Sequence, residues 1–176
     1  MEITNRKHGC KQNRAKRLLP LYLFTLSLLV ASCSQIDCPL NNRAYAVYRF
    51  MNSVGDSVVV DEVITVSTTR DELEDSVRLN QFTGKSTFSI PMSYTQSEDV
   101  LFFEVTGDNY SYIDTVVVEK ESRPHFESVD CHPIFFHTLK KVTTTHHAID
   151  SITIHNKNVS YDSHTANLHI YLRSSN

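Results

Sequence analysis

From Ala44 onward the chain is a succession of short stretches in which apolar and polar residues alternate, the spacing of half-buried strands rather than of an amphipathic helix. Val58-Val59-Val60 and Val63 to Val66 are β-branched runs separated by Asp61-Glu62. Val77 and Leu79 alternate with polar neighbours, as do Phe88, Ile90 and Met92. Val100 to Val105 is apolar on both faces, which predicts a central strand. Gly107-Asp108-Asn109 supplies a hairpin-type turn before a strand from Ile113 to Val118. Ile134 to Thr145 begins with aromatic residues; Ile152 with Ile154, then Leu168, Ile170 and Leu172, alternate again. Arg70 to Asp75 is charged enough for one helical turn but reads as a solvated loop. Strands separated by turn signals, with no helices between them, predict an all-β protein, a single immunoglobulin-like β-sandwich of roughly seven to ten strands. The chain has no tryptophan, so the core residue typical of immunoglobulin domains is missing and the prediction rests on alternation alone.

The first part of the chain follows a different pattern. Arg6, Lys7, Lys11, Arg14, Lys16 and Arg17 precede an apolar run of 13 residues, Leu18 to Val30, that ends in Val30-Ala31-Ser32-Cys33. A membrane-spanning helix needs roughly 20 apolar residues. A secretory h-region of roughly 7–15 fits the run better. The Leu-Val-Ala-Ser-Cys ending resembles the lipobox of bacterial lipoproteins, in which the cysteine is acylated and becomes the new N-terminus. The expected organisation is a signal peptide over residues 1–32, a lipidated N-terminus and tether over 33–42, and a β-sandwich domain over 43–176, with lipidation at Cys33. The alternatives are a secreted protein cut near Ser32 and a short uncleaved anchor. Ser34 stands where an Asp would signal inner-membrane retention, so the expected location is the cell envelope, at the outer membrane.

Processing at Cys33 leaves 144 of the 176 residues, with eleven basic and nineteen acidic side chains and a net charge of −8. Such a domain is long enough to bury a core. It is a poor partner for nucleic acid, and it carries no basic stripe. Of the four cysteines, Cys10 leaves with the signal and Cys33 takes the lipid. Cys38 and Cys131 remain, an even pair in an oxidising compartment, to be read as one disulfide or as two separate buried thiols.

Histidine is the unusual feature of the composition. Eight of nine lie between His125 and His169. His146 and His147 are adjacent, and strand neighbours point to opposite faces, so they chelate one ion only from a loop. His137 shares a strand face with Phe135 and Leu139, as a core or edge histidine. His155 and His169 become cross-strand neighbours if their strands pair. No spacing matches a recognised zinc pattern, so no metal site and no cofactor is assigned. No Gly-x-Ser-x-Gly elbow and no Gly-rich phosphate loop is present. Cys131 beside His132 has the makings of a thiol nucleophile, but a disulfide accounts for it more simply. Asp71, Glu72, Glu74 and Asp75 are acidic without the spacing of a calcium loop. The expectation is therefore a protein without catalytic residues. Asn109-Tyr110-Ser111 and Asn158-Val159-Ser160 match the N-glycosylation sequon, which has no expected use in a bacterial lipoprotein. The tripeptides at Asp56, Asp75, Asp114 and Asp150 resemble the Asp-Ser/Thr-apolar acceptors of O-glycosylation in the Bacteroidota, although a turn opening into a strand produces the same sequence.

Pro124 to Leu139 (PHFESVDCHPIFFHTL) and Thr145 to Ile152 (THHAIDSI), with Asp37-Cys38-Pro39-Leu40, resemble small, uncharacterised lipoproteins of gut Bacteroidota. The resemblance implies an envelope location and no activity, and it places Cys38 and Cys131 in matching segments. The reading that follows is a lipid-anchored, non-enzymatic β-sandwich that binds a protein or glycan partner or supports an envelope assembly. The alternative is a periplasmic metal-binding protein using the C-terminal histidines.

Overall fold

A computed structural model describes Cys38 and residues 43–69, 75–161 and 164–173. Cys33, the signal segment and Asp71 to Glu74 lie outside the described residues. The ten strands are β1 (Tyr45–Phe50), β2 (Val63–Thr69), β3 (Asp75–Phe82), β4 (Thr87–Pro91), β5 (Glu98–Thr106), β6 (Ser111–His125), β7 (Ile134–Thr144), β8 (Ile149–Ile154), β9 (Asn158–Val159) and β10 (Leu168–Leu172). There is no helix among the described residues. The strands form two sheets, ordered β4-β1-β10-β8 and β3-β2-β5-β6-β7-β9, packed as a sandwich.

Pairing is antiparallel throughout except between β1 and β10, the first and last strands, which run parallel with Tyr48 opposite Leu168. The central place expected of β5 is observed, although only one of its two apolar faces is fully buried. Leu101, Phe103 and Val105 are buried between the sheets, and β5 lies between β2 and β6. The valine run Val58-Val59-Val60 is not a strand. It belongs to the connection from β1 to β2, where only Val60 is buried and its N–H donates to the Lys85 carbonyl. Three β-branched residues favour a pleated conformation but do not supply a partner strand.

The core contains a cluster of aromatic rings without tryptophan. Tyr48 and Phe88 of the smaller sheet stack at 5.1 Å between centroids, and Phe103 of the larger sheet packs 6.1 Å from Tyr48. Phe50 and Phe82 extend the contact across the two layers. Ring pairs at these separations add to the area they bury.

The chain crosses between the sheets several times, and two crossings are held by buried polar side chains. The β7–β8 turn passes from the larger sheet to the smaller. Asp114 on β6, fully buried, accepts hydrogen bonds there from the Thr145 hydroxyl (2.7 Å) and the backbone N–H groups of His147 (2.6 Å), Ala148 (2.7 Å) and Ile149 (2.8 Å). Burial raises the Asp114 carboxyl, but these four donors outweigh it and hold it below the usual carboxylate range. Asn167 holds the return crossing from β9 to β10. Its Oδ1 accepts from Val47 N–H at 2.9 Å, and its Nδ2 donates to the carbonyls of Asn156 (3.1 Å) and Asn158 (2.9 Å).

The Cys38–Cys131 pair is a disulfide, with Cα atoms 5.6 Å apart and 93 residues of sequence separation. It ties the start of the domain to the β6–β7 connection. Closing a loop of that length is worth roughly 4–5 kcal/mol in the chain-entropy picture. Replacing both cysteines with serine is therefore expected to lower unfolding free energy by about 4 kcal/mol in denaturant titrations; an unchanged midpoint would contradict this.

Asp114→Asn is expected to leave the Ala148 and Ile149 N–H groups facing an amide NH2, and to cost about 2–4 kcal/mol at neutral pH. The stabilisation from a depressed carboxyl is present above the unfolded carboxylate range and is lost as pH falls through the folded value. Acid unfolding of the wild type should include that loss, and the variant should lack it. Parallel pH profiles for the two proteins would refute the assignment.

Candidate functional site

At the end of the sandwich where the chain enters, β4 ends, β2 ends and β5 begins, and a cleft of about 230 Å³ opens between the sheets. Its walls include Arg43, Thr68, Arg78, Tyr94, Gln96 and Asp99. Arg43 forms an isolated parallel bridge with Phe135, which fixes the chain just before β1. Tyr94, in the β4–β5 connection, stacks on Phe135 at 5.1 Å. Ser93 donates its N–H to Asp99 Oδ1 at 3.3 Å, and Thr68 donates its hydroxyl to the Val100 carbonyl at 2.7 Å. These contacts tie the β4–β5 connection, which supplies part of the wall, to β5 and β7.

Behind Asp99 the sandwich interior is polar. Lys120 continues the inward face of β6 after Val116 and Val118, and its Nζ lies 2.9 Å from Asp99 Oδ1. The contact is an ion pair; the Nζ has no acceptor in well-aligned hydrogen-bond geometry. Burial pushes the Asp99 carboxyl above its ordinary range even with Lys120 beside it and Arg78 nearby. His137, opposite Ser122 on the neighbouring strand, is buried, with Nδ1 2.9 Å from the Ser122 hydroxyl. Burial and the Lys120 ammonium push its pKa down to about 4, so the ring is neutral at pH 7. The Asp99–Lys120 pair cancels in charge, leaving Arg43 and Arg78 as the cationic groups of the cleft wall. The arrangement suits holding a small polar group by charge and hydrogen bonds. A wider groove of about 790 Å³ at the opposite end, lined by Asn52, Val60, Asp150, Tyr171 and Arg173 among others, has no comparable ion pair beneath it among the described residues.

Residues 63–172 match the profile of a family of unknown function (DUF6452). The chain belongs to that family. No curated protein and no solved structure matches it. The span that DUF6452 covers runs from the first residue of β2 to the last of β10. It takes in Arg78, Asp99, Lys120 and Cys131, while Cys38 and Arg43 precede it.

The site residues expected from the sequence fall in several places. Cys38 and Cys131 are joined, so Cys131 is no free nucleophile. The described histidines are spread over several places. His137 is in the core, and His146 and His147 sit in the β7–β8 turn, where His146 adopts φ +63° and its Nδ1 lies 2.6 Å from the Asp150 carbonyl. β8 and β10 pair, with His169 opposite Thr153; His155, just past β8, is its diagonal neighbour and stacks on it at 4.3 Å. Desolvation, with His155 and Arg49 nearby, lowers the His169 pKa. No group of three His, Cys, Asp or Glu side chains that could hold a metal ion occurs among the described residues. Of the Asp-Ser/Thr-apolar tripeptides, the one at Asp114 has its carboxylate committed to the β7–β8 turn, whereas Asp56 and Asp150 are exposed.

Sequence patterns did not reveal Arg43, Arg78, Asp99 or Lys120. The one available signal was a lysine on the inward phase of an otherwise apolar alternation, Val116, Val118, Lys120. Asp99→Ala is expected to leave the Lys120 ammonium buried without a counter-ion and to cost about 3 kcal/mol, with Asp99→Leu/Lys120→Met recovering most of it. Urea titrations of the two variants test this; equal destabilisation would mean the pair is not coupled.

Proposed function

We propose that the protein is a lipid-anchored domain of the cell envelope that binds a protein or glycan partner without catalysing a reaction. The observation that carries the reading is the Cys38–Cys131 disulfide, which suits an exported, oxidising compartment and lies five residues beyond the cysteine that ends the lipobox-like segment. A basic start, a short apolar run and small residues before Cys33 support export and acylation. The small size of the mature domain and its negative charge agree with a binding module outside the cytoplasm. Acyl chains add membrane affinity, and stable anchoring takes two signals, such as dual acylation. The cleft between Arg43 and Arg78 offers a place for a polar group of the partner. The acid among its lining residues, the half-buried Asp99, is already paired with Lys120.

Cys33→Ala tests the reading. The wild-type chain, expressed with radiolabelled palmitate, is expected to take up label and sediment with membranes. The variant is expected to remain an unlabelled precursor. Unlabelled wild-type protein, or labelling that persists in the variant, would refute lipidation at Cys33.

A further inference from the structure

The β6–β7 connection, residues 126–133, is the part of the described domain tied to the tether. Cys131 is bonded to Cys38, which follows the proposed acylated cysteine by five residues. Five extended residues span at most roughly 18 Å. The disulfide therefore keeps this connection close to the lipid, whatever path the tether takes.

The same connection exposes apolar side chains. Cys131 N–H bonds back to the Ser128 carbonyl at 3.2 Å, closing a tight turn whose second residue is Val129. Val129 is 96% exposed and Phe126 is 60% exposed. Turn positions normally carry Gly, Pro, Asn, Asp or Ser, so a valine at the tip is unfavourable in water. Beside the turn, Phe136 stacks on His125 at 4.5 Å and meets the Tyr161 ring edge-on at 5.0 Å. Apolar tips backed by aromatic rings suit the boundary between lipid headgroups and acyl chains. Glu127 and Asp130 within the connection favour zwitterionic over anionic lipid.

We infer that Phe126 and Val129 insert into the surface of the bilayer that holds the lipid anchor, so that the domain stands on its β6–β7 connection. This inference rests on the anchored reading above. It places the cleft at the membrane-proximal end. The β1–β2 connection, with Val54 at its tip, then points away from the bilayer.

The absence of tryptophan makes the test direct. Phe126→Trp and Val129→Trp each introduce a single tryptophan, and Val54→Trp provides a control that is also highly exposed but sits at the other end (83%). Lipidated chains are incorporated into phosphatidylcholine vesicles with or without bromine on the acyl chains. Tryptophan at 126 or 129 is expected to lose most of its emission in brominated vesicles and tryptophan at 54 to keep its own. Two sites are used because one substitution alone can disturb the turn. Unquenched emission at both 126 and 129 in vesicle-bound chains would overturn the inference while leaving the anchor intact. Equal quenching at all three positions would also overturn it. Chains whose mass shows no acyl group would overturn the anchored reading, and this inference with it.

Discussion

The disulfide between Cys38 and Cys131 sets the frame for the rest of the molecule. β1 lies in the smaller sheet and Cys131 in a connection of the larger one, so the bond joins the start of one layer to the other. A domain of this size buries a modest core, and a cross-link over 93 residues removes much of the freedom of its unfolded state. The same bond directs where the chain enters the sandwich. Arg43 bridges to Phe135 just after that point, and Tyr94 stacks on Phe135, so the cleft is assembled on the clamped end.

Elsewhere the two layers are held together by polar groups as well as by the aromatic core. Each crossing between sheets leaves backbone groups without a ladder partner, and such groups must be satisfied if buried. Asp114 supplies acceptors for three consecutive N–H groups at the β7–β8 crossing. Asn167 supplies one acceptor and two donors where the chain returns to β10. At the clamped end Ser93 is tied to Asp99, and Lys120 N–H donates to the Ser97 carbonyl at 2.8 Å. The β7 strand has a register shift opposite Glu119 and Lys120, which turns Lys140 and Lys141 outward to Glu121 (2.8 Å) and Glu119 (3.4 Å). These surface pairs add little to stability, but the shift keeps Leu139 in the core.

Strands were legible in the sequence because burial on one face imposes alternation, and β4 and β10 show it plainly. The valine run at 58–60 misled because β-branching reports a local preference, whereas strand identity depends on a partner. The disulfide was legible because Cys38 and Cys131 are the pair that remains once Cys10 and Cys33 are assigned to the expected signal and lipid site. The cleft was not, because Arg43 before β1, Arg78 within β3 and Asp99 at the start of β5 come from three separate parts of the chain and share no local spacing. Asp114 was hidden for the same reason: its partners lie 31 to 35 residues away in sequence. The run of histidines drew attention by composition, yet strand register sends them to the core, a turn and an outer face.

The proposed anchoring requires one covalent arrangement, an acylated Cys33 five residues before the disulfide-bonded Cys38. Trypsin cuts after Arg43, after Lys120 and after Lys140, and not between Arg123 and Pro124, so both halves of the arrangement fall in a single linked product. Mass spectrometry of the membrane-extracted chain, digested without reduction, is the most direct test. The predicted result is one species in which residues 33–43, acylated at Cys33, are joined by a disulfide to residues 121–140. An uncleaved peptide continuing upstream of Cys33, or residues 121–140 recovered with a free thiol, would contradict it.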